Sequence, residues 1–443
     1  MKISLSDHFN VAKLLRFTLP SIVMMIVTSI YSIVDGFFVS NFVGKTPFTA
    51  VNFIMPVLMI LGTVGFMLGA GGSALVAKTF GEGNAEKARS IFSLVIYVSV
   101  VLGTVLAALG IIFMPNIAKL LGAEGELLDN CVLYGRVVLI GLPAFILQME
   151  FQSFFITAEK PTLGLAVTIG AGVVNMLLDG LLVGIFSFGL VGAAMATAIS
   201  QVIGGFLPVI YFARKNSSIL RLGKTHYDGK ALFKVCTNGS SEFMSNISMS
   251  LVGILYNAQL LKYAGEDGVA AYGVMMYVSM IFCGVFIGYS IGSAPVVGYH
   301  FGAGNTQELK GLLKRGVGII CGLSVLMTLL SVALSAPLSH LFVGYDGELY
   351  ELTRHGFVIF SLAFLFMGMA IFGSGFFTAL NDGLTSAAIS FLRTVVFQVA
   401  AVLIFPIFWE IDGIWWSIVA AEISAVVSFV IFLIAKRKKY HYI

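Results

Sequence analysis

Five carboxylates stand inside otherwise apolar runs of this 443-residue chain: Asp35, Glu150, Asp179, Glu242 and Glu422. A charged side chain at the centre of a bilayer costs about 2.5–3.5 kcal/mol on insertion scales, so such residues are seldom placed without a task. Asp179 follows Asn175 by four residues, which puts both on one face of a helix. An isolated carboxyl in a low-dielectric cavity can take up and release a proton near neutral pH. Beside an amide and a hydroxyl, the same carboxyl offers hard oxygen ligands to sodium. The competing reading is that each acid only hydrogen-bonds a neighbouring helix. That reading is stronger for Glu150, near a span end, and for Glu422, which has no acid or amide within a helical turn.

Around these acids lie soft and aromatic side chains, with 13% aromatic residues and 18 methionines. Most are expected to pack or to face lipid. Met25, Phe38, Met55, Phe155 and Met276, with Gln152, Tyr256 and Glu242, are candidate substrate contacts. Adaptable thioethers and aromatic faces suit varied organic cations.

These residues must be positioned by helices in a membrane. The chain is 58% hydrophobic and 11% charged, against roughly 25% charged for a soluble domain. Runs of about 20 apolar residues recur throughout. They predict twelve spans over 14–39, 48–77, 91–118, 131–157, 163–186, 189–213, 235–262, 268–298, 316–343, 354–380, 385–409 and 413–435. The first run is too long for a cleavable leader and is expected to remain as a span. Cys131, Cys236, Cys283 and Cys321 lack metal-site or disulfide spacing. Both termini and the even-numbered connections, with the span ends beside them, hold 21 of the 26 Lys and Arg, and the odd connections are acidic. The positive-inside rule then places both termini and the 214–234 connection in the cytoplasm.

The chain also repeats itself. Residues 71–84 read GGSALVAKTFGEGN and residues 292–305 read GSAPVVGYHFGAGN, with six of fourteen positions identical at an offset of 221. The offset drifts to 222 at Phe154-Phe155/Phe376-Phe377 and to 224 at Ile199-Ser200/Ile423-Ser424. Six spans separate the copies, so the halves share one orientation and are related by an axis along the membrane normal. The predicted fold is all-α and polytopic: twelve transmembrane helices in two six-helix lobes. One lobe covers 1–213, a cytoplasmic linker 214–234, and the second lobe 235–443. The acids are not duplicated: Asp35 aligns with Tyr256, and Asn175 and Asp179 with Val399 and Leu403. A dedicated cation or proton site is therefore expected in the first lobe.

The glycine loops FGEGN and FGAGN lack the GK[ST] of a phosphate cradle. They read as helix punctuation: Gly81/Gly83 and Gly302/Gly304 for the turn, Asn84 and Asn305 as caps, and Glu308 at capping-box spacing from Asn305. Gly65, Gly69, Gly71, Gly72, Gly284, Gly288 and Gly292 are expected to let helices approach closely, with bending during transport as the alternative.

The opening LPSIVMMIVTSIYSIVDGFFVSNFVG, QSFFITAEKP in span four, VVNMLLDGLLV in span five and GLVGAAMATAIS opening span six resemble the multidrug and toxic compound extrusion (MATE) family over essentially the whole chain. The resemblance implies a V-shaped pair of lobes in a bacterial inner membrane, expelling small cationic or amphipathic compounds in exchange for H+ or Na+. It implies no cofactor, no nucleic acid and a monomer among membrane lipids. It carries a first-lobe cation site over to Asp35, Asn175, Asp179 and Thr197, which would be metal ligands if the ion is sodium. A second-lobe site is in doubt, because Glu242 matches its helix-seven acid but span ten has no acid within its interior.

Other classes fare less well. A lipid-linked oligosaccharide flippase on a related scaffold needs a strongly basic cavity, whereas Arg136, Arg354 and Arg393 are read near span ends. A narrow metabolite exporter stays open as an alternative. No HExxH, GxSxG or paired-Asp motif supports an enzyme, and no filter element supports a channel.

Overall fold

The computed structural model describes residues 3–442, except for the side chains at positions 32, 33, 35–37, 39–41 and 45. The described residues are almost wholly helical, without a strand. Spans one to three are the helices Val11–Phe42, Lys45–Gly81 and Ala85–Leu120. Span four is a pair, Gly125–Ile140 and Leu142–Thr157, bent by 57°. Pro143 at the start of its second half has no N–H to continue the ladder, which places the bend there. Span five runs Pro161–Leu178 and continues as a π-helix, Asp179–Ile185, and span six is Gly189–Ala213.

The second half repeats this order. One helical run, Gly229–Gly302, breaks at Gly265, whose φ of 63° and ψ of −152° suit glycine alone, and so yields spans seven and eight. Span nine is Thr306–Val343, and span ten is Gly347–Ser361 with Phe364–Ala379, bent by 45°. Span eleven starts at Gly383–Phe391, passes through a π-helix at Leu392–Phe397, and enters the run Gln398–Tyr440. That run breaks at Trp409 and Glu410, where span twelve begins. Twelve crossings result in two six-helix lobes, and the bent fourth and tenth spans occupy equivalent places.

The spans of the two lobes meet through glycines at the end that carries the termini. A Cβ on Gly81 would lie 2.0 Å from the carbonyl oxygen of Tyr299, and one on Gly302 would lie 2.0 Å from that of Lys78. The contact is reciprocal across the repeat. Deeper in, Gly71 meets Val235 and Gly239 meets Met67, with hypothetical Cβ atoms at 2.0 and 1.8 Å from backbone oxygens. Gly288 and Gly292 bring span eight against Ile22 and Thr18 of span one. Without a hydrophobic driving force inside lipid, such backbone proximity is what lets dispersion and interhelical hydrogen bonds hold spans together.

Two details of the glycine loops differ from expectation. Only Gly83 and Gly304 have the left-handed φ of a turn, 81° and 67°, whereas Gly81 and Gly302 close their helices and serve the crossing. Asn84 and Asn305 do cap, accepting from Lys87 N at 3.0 Å and Glu308 N at 3.1 Å. The reciprocal half of the capping box is not made. Asn305 N donates to His300 O instead, and the Glu308 carboxylate turns towards the N-terminal segment.

Candidate functional site

Spans one, two, four, five and six of the first lobe surround a cavity of about 300 Å³. Its polar wall is Asn175, Thr197, Ser200, Gln201 and Gln148, and Tyr31, Met55 and Met59 supply aromatic and thioether surface. Met280 of span eight reaches it from the other lobe. Thr197 and Gln201 share a face of span six by four-residue spacing, and Thr197 also donates to Ala193 O at 3.1 Å. Asn175 is 3% exposed. One turn further along span five, Asp179 is fully buried at the start of the π-helix. A π-bulge re-aims side chains within a helix and is frequent at functional sites.

Of the four residues expected to hold the cation, the structure brings Asn175 and Thr197 to one cavity and places Asp179 beside Asn175. The Asp35 side chain lies outside the described residues. Among the candidate substrate contacts, Met55 lines this cavity. Gln152 and Phe155 line a smaller neighbouring recess with Met24 and Thr168, and Gln148 borders both spaces. Met25 is 8% exposed, with its backbone beside Gly284. Phe38 stacks on Phe42 with ring centres 5.8 Å apart, and Met276 packs on the second-lobe core. Tyr256 belongs to that core rather than to a cavity. It is 1% exposed, stacks on Tyr272 at 5.6 Å and shares a hydrogen bond with Ser417 at 2.9 Å. Its ring needs apolar surface and its hydroxyl needs a partner, and both needs are met away from solvent.

The other intramembrane acids separate. Glu150 is fully buried and accepts from Ser99 Oγ at 2.8 Å. Glu422, also fully buried, receives Arg393 through Nε at 2.9 Å and Nη2 at 2.8 Å. Arg393 is therefore not at a span end. It lies ten residues along span eleven from Gly383, on the π-helix, about 15 Å along the helix axis. Glu242 is only partly buried, and its backbone oxygen accepts from Asn246 Nδ2 at 2.8 Å.

Sequence reasoning missed Gln148, Gln201 and Tyr31. A signal existed, since Gln201 stands four residues after Thr197 and Gln148 four before Gln152. Neutral amides are cheaper to bury than acids and still offer an oxygen ligand and two N–H donors, so the acids alone do not mark the whole site.

A duplicated twelve-span scaffold with a polar cavity in one lobe defines a membrane transporter. A family model described as MatE matches the chain twice, at residues 20–181 and 243–404. The chain belongs to the MatE family, the multidrug and toxic compound extrusion transporters. It is 26% identical over 411 residues to the multidrug export protein MepA of Staphylococcus haemolyticus, covering 92% of this chain and 90% of that one. It is 24% identical over 416 residues to MepA of Staphylococcus saprophyticus, with the same coverage. Among solved structures, an outward-facing conformation of a multidrug resistance MATE family transporter superposes with a TM-score of 0.91 at 20% identity, covering 98% of both chains. A transporter from Pyrococcus furiosus, described as having reversed pocket polarity, superposes at 0.89 with 21% identity and 97% coverage of both. These likenesses carry the fold.

Proposed function

We propose that this chain is a secondary-active exporter of small cationic or amphipathic compounds, exchanging them for H+ or Na+ by alternating access across a bacterial inner membrane. The observation that carries this reading is that Asn175 and Thr197 line one cavity of the first lobe, with Asp179 buried one turn from Asn175 along span five. The MepA relatives, by name multidrug exporters, support the substrate class. Residues 1–213 and 235–443 would be the two moving bodies, joined by the 214–234 linker, and one chain would suffice as the active unit. The basic residues at the termini end support a cytoplasmic placement of that face. The glycine crossings at the same end support reading this conformation as closed to the cytoplasm.

Ion binding must favour one lobe arrangement over the other, because a ligand without differential affinity shifts nothing. The flippase alternative gains little from Arg393, since Glu422 neutralises it. The deciding experiment is transport of an ethidium-type dye into proteoliposomes under separate proton and sodium gradients, for wild type and Asp179→Asn. Transport driven by either gradient and lost in the variant supports the antiporter and names its ion. Gradient-independent behaviour of every cationic dye would overturn it in favour of a flippase or a narrow metabolite exporter.

A further inference from the structure

We propose that residues 4–9, ahead of span one, form a strap that locks the two lobes together on the face carrying the termini and holds the cavity closed on that side. The proposal rests on the alternating-access reading above.

The strap is anchored at both ends by carboxylates from different lobes. Glu159, in the connection between spans four and five of the first lobe, accepts from Ser4 Oγ at 2.6 Å and Leu5 N at 2.9 Å. Glu308, at the start of span nine in the second lobe, accepts from Phe9 N at 3.0 Å and pairs with His8 Nδ1 at 2.6 Å. Arg315 donates to the same carboxylate at 2.8 Å, and His300 Nε2 donates to Asp7 O at 3.2 Å. Between these anchors Leu5 and Phe9 are 1% and 0% exposed, in one core cluster with Ile156 of the first lobe and many second-lobe residues. Asp7 folds the segment on itself, accepting from Ser4 N at 3.0 Å and pairing with Lys13 at 2.8 Å.

The anchor on Glu159 is what turns these contacts into a lock. A segment tied only to span one would be a tether that follows either lobe. Fixed to its own lobe at Ser4 and Leu5, it resists movement of Glu308 and His300 in the other. If the lobes part here, the Glu308 carboxylate loses a backbone donor and the His8 ring, and Phe9 loses its cover. Charge-assisted hydrogen bonds of this kind are the strong ones.

The repeat supplies an independent argument. The position equivalent to Glu159 in the second lobe is Asn381, and the position equivalent to Glu308 in the first is Lys87. Both strap-binding acids are thus unique to one copy, and the equivalent segment ahead of span seven, residues 225–230, meets span three through Thr225 and Ser90 rather than through a carboxylate. The strap also accounts for Glu308 leaving its capping box open.

The test is the distance between spin labels at Glu124 and Tyr345, on exposed turns at the opposite end of the two lobes, in full-length protein in lipid on a cysteine-free background. Wild type is expected to populate a long and a short distance, with the ratio set by ion and substrate. Glu159→Gln with Glu308→Gln is expected to lower the long-distance population at least threefold, while Ser331→Ala, a buried hydroxyl remote from the strap, leaves it unchanged. Should the double variant fail to purify, His8→Ala, with a 67% exposed side chain, carries the same test with a smaller shift in the same direction. Two wild-type distances whose ratio neither variant moves would overturn the strap alone. A single distance in every condition would overturn alternating access, and the strap with it.

Discussion

Glu159 and Asn381 occupy equivalent positions in the two lobes, each ending its helical pair with the same left-handed φ of 58°. Both turn a side chain across the lobe boundary or to what bridges it. Glu159 holds the N-terminal strap, and Asn381 donates through Nδ2 to Ala74 O of span two at 3.2 Å while accepting from Asn238 Nδ2 at 2.6 Å. One backbone geometry, copied by duplication, thus presents two different side chains to the same task. Asn suits a left-handed position better than most residues, and Glu is costlier there.

The glycine crossing gives the first prediction. Gly302→Ala places a Cβ against the Lys78 carbonyl at 2.0 Å, where backbone faces backbone and neither side can yield by a rotamer change. Overpacking of this kind costs about 1–3 kcal/mol. The cost falls only on the conformation in which spans two and eight cross, so Gly302→Ala should deplete that conformation and cut dye transport about tenfold or more. Gly304→Ala, with nothing within 4 Å but φ of 67°, should cost about 1–2 kcal/mol of backbone strain and shift both conformations alike. Thermal unfolding and label distances on the two variants separate these effects.

Arg393 and Glu422 give the second. Their side chains are 12% and 0% exposed, and removing one partner of a buried pair typically costs about 3–5 kcal/mol because the other charge is stranded. Arg393→Met should therefore destabilise strongly, and adding Glu422→Leu should restore most of the loss. Thermal melts of the two single variants and the double in one detergent complete the cycle. Equal additive losses would mean that each residue has some other partner.

Much of the fold was legible in the sequence because lipid imposes it. All backbone polar groups must be satisfied within a span, so apolar length marks spans, and the repeat aligns the halves. The merged run Gly229–Gly302 breaks at Gly265, inside the 263–267 connection that the expected spans 235–262 and 268–298 leave between them. The site was legible where chemistry is rare: Asn175 beside Asp179 is conspicuous. Thr197 entered only by resemblance, since a hydroxyl in a helix usually bonds its own backbone, as Thr197 does to Ala193 O. Arg393 was misplaced because its partner Glu422 is 29 residues away, on the next span, and no local spacing links the two. Tyr256 was overrated for the same reason, its hydroxyl partner Ser417 lying 161 residues away.

Asp382 provides a pH test outside the spans. Burial opposes its charge, but donation from Tyr440 OH at 2.8 Å and from Thr385 N at 3.3 Å, with Lys436 at 3.6 Å, outweighs burial and holds the carboxyl below its ordinary 3.8. A depressed native value means stability that is full above pH 3.8 and lost as pH falls through the lower native value. Asp382→Asn should thus cost about 1.5–3 kcal/mol near pH 7, and the gap to wild type should narrow below pH 3.8. A gap that is constant with pH would place the loss in shape rather than in charge.

The cavity itself is tested from the far lobe. Met280 is 45% exposed and reaches the first-lobe cavity from span eight, and Ser29 Oγ sits 3.4 Å from its backbone oxygen. A cavity of about 300 Å³ lies at the small end of ligand pockets, so added bulk at Met280 competes directly with substrate. Met280→Trp should lower transport of large dyes about tenfold or more, spare the smallest organic cations, and leave the melting temperature within a few degrees of wild type. Its size dependence is the informative readout. Equal loss for small and large cations would place substrate elsewhere, and undiminished transport of the largest dye would remove this cavity from the path.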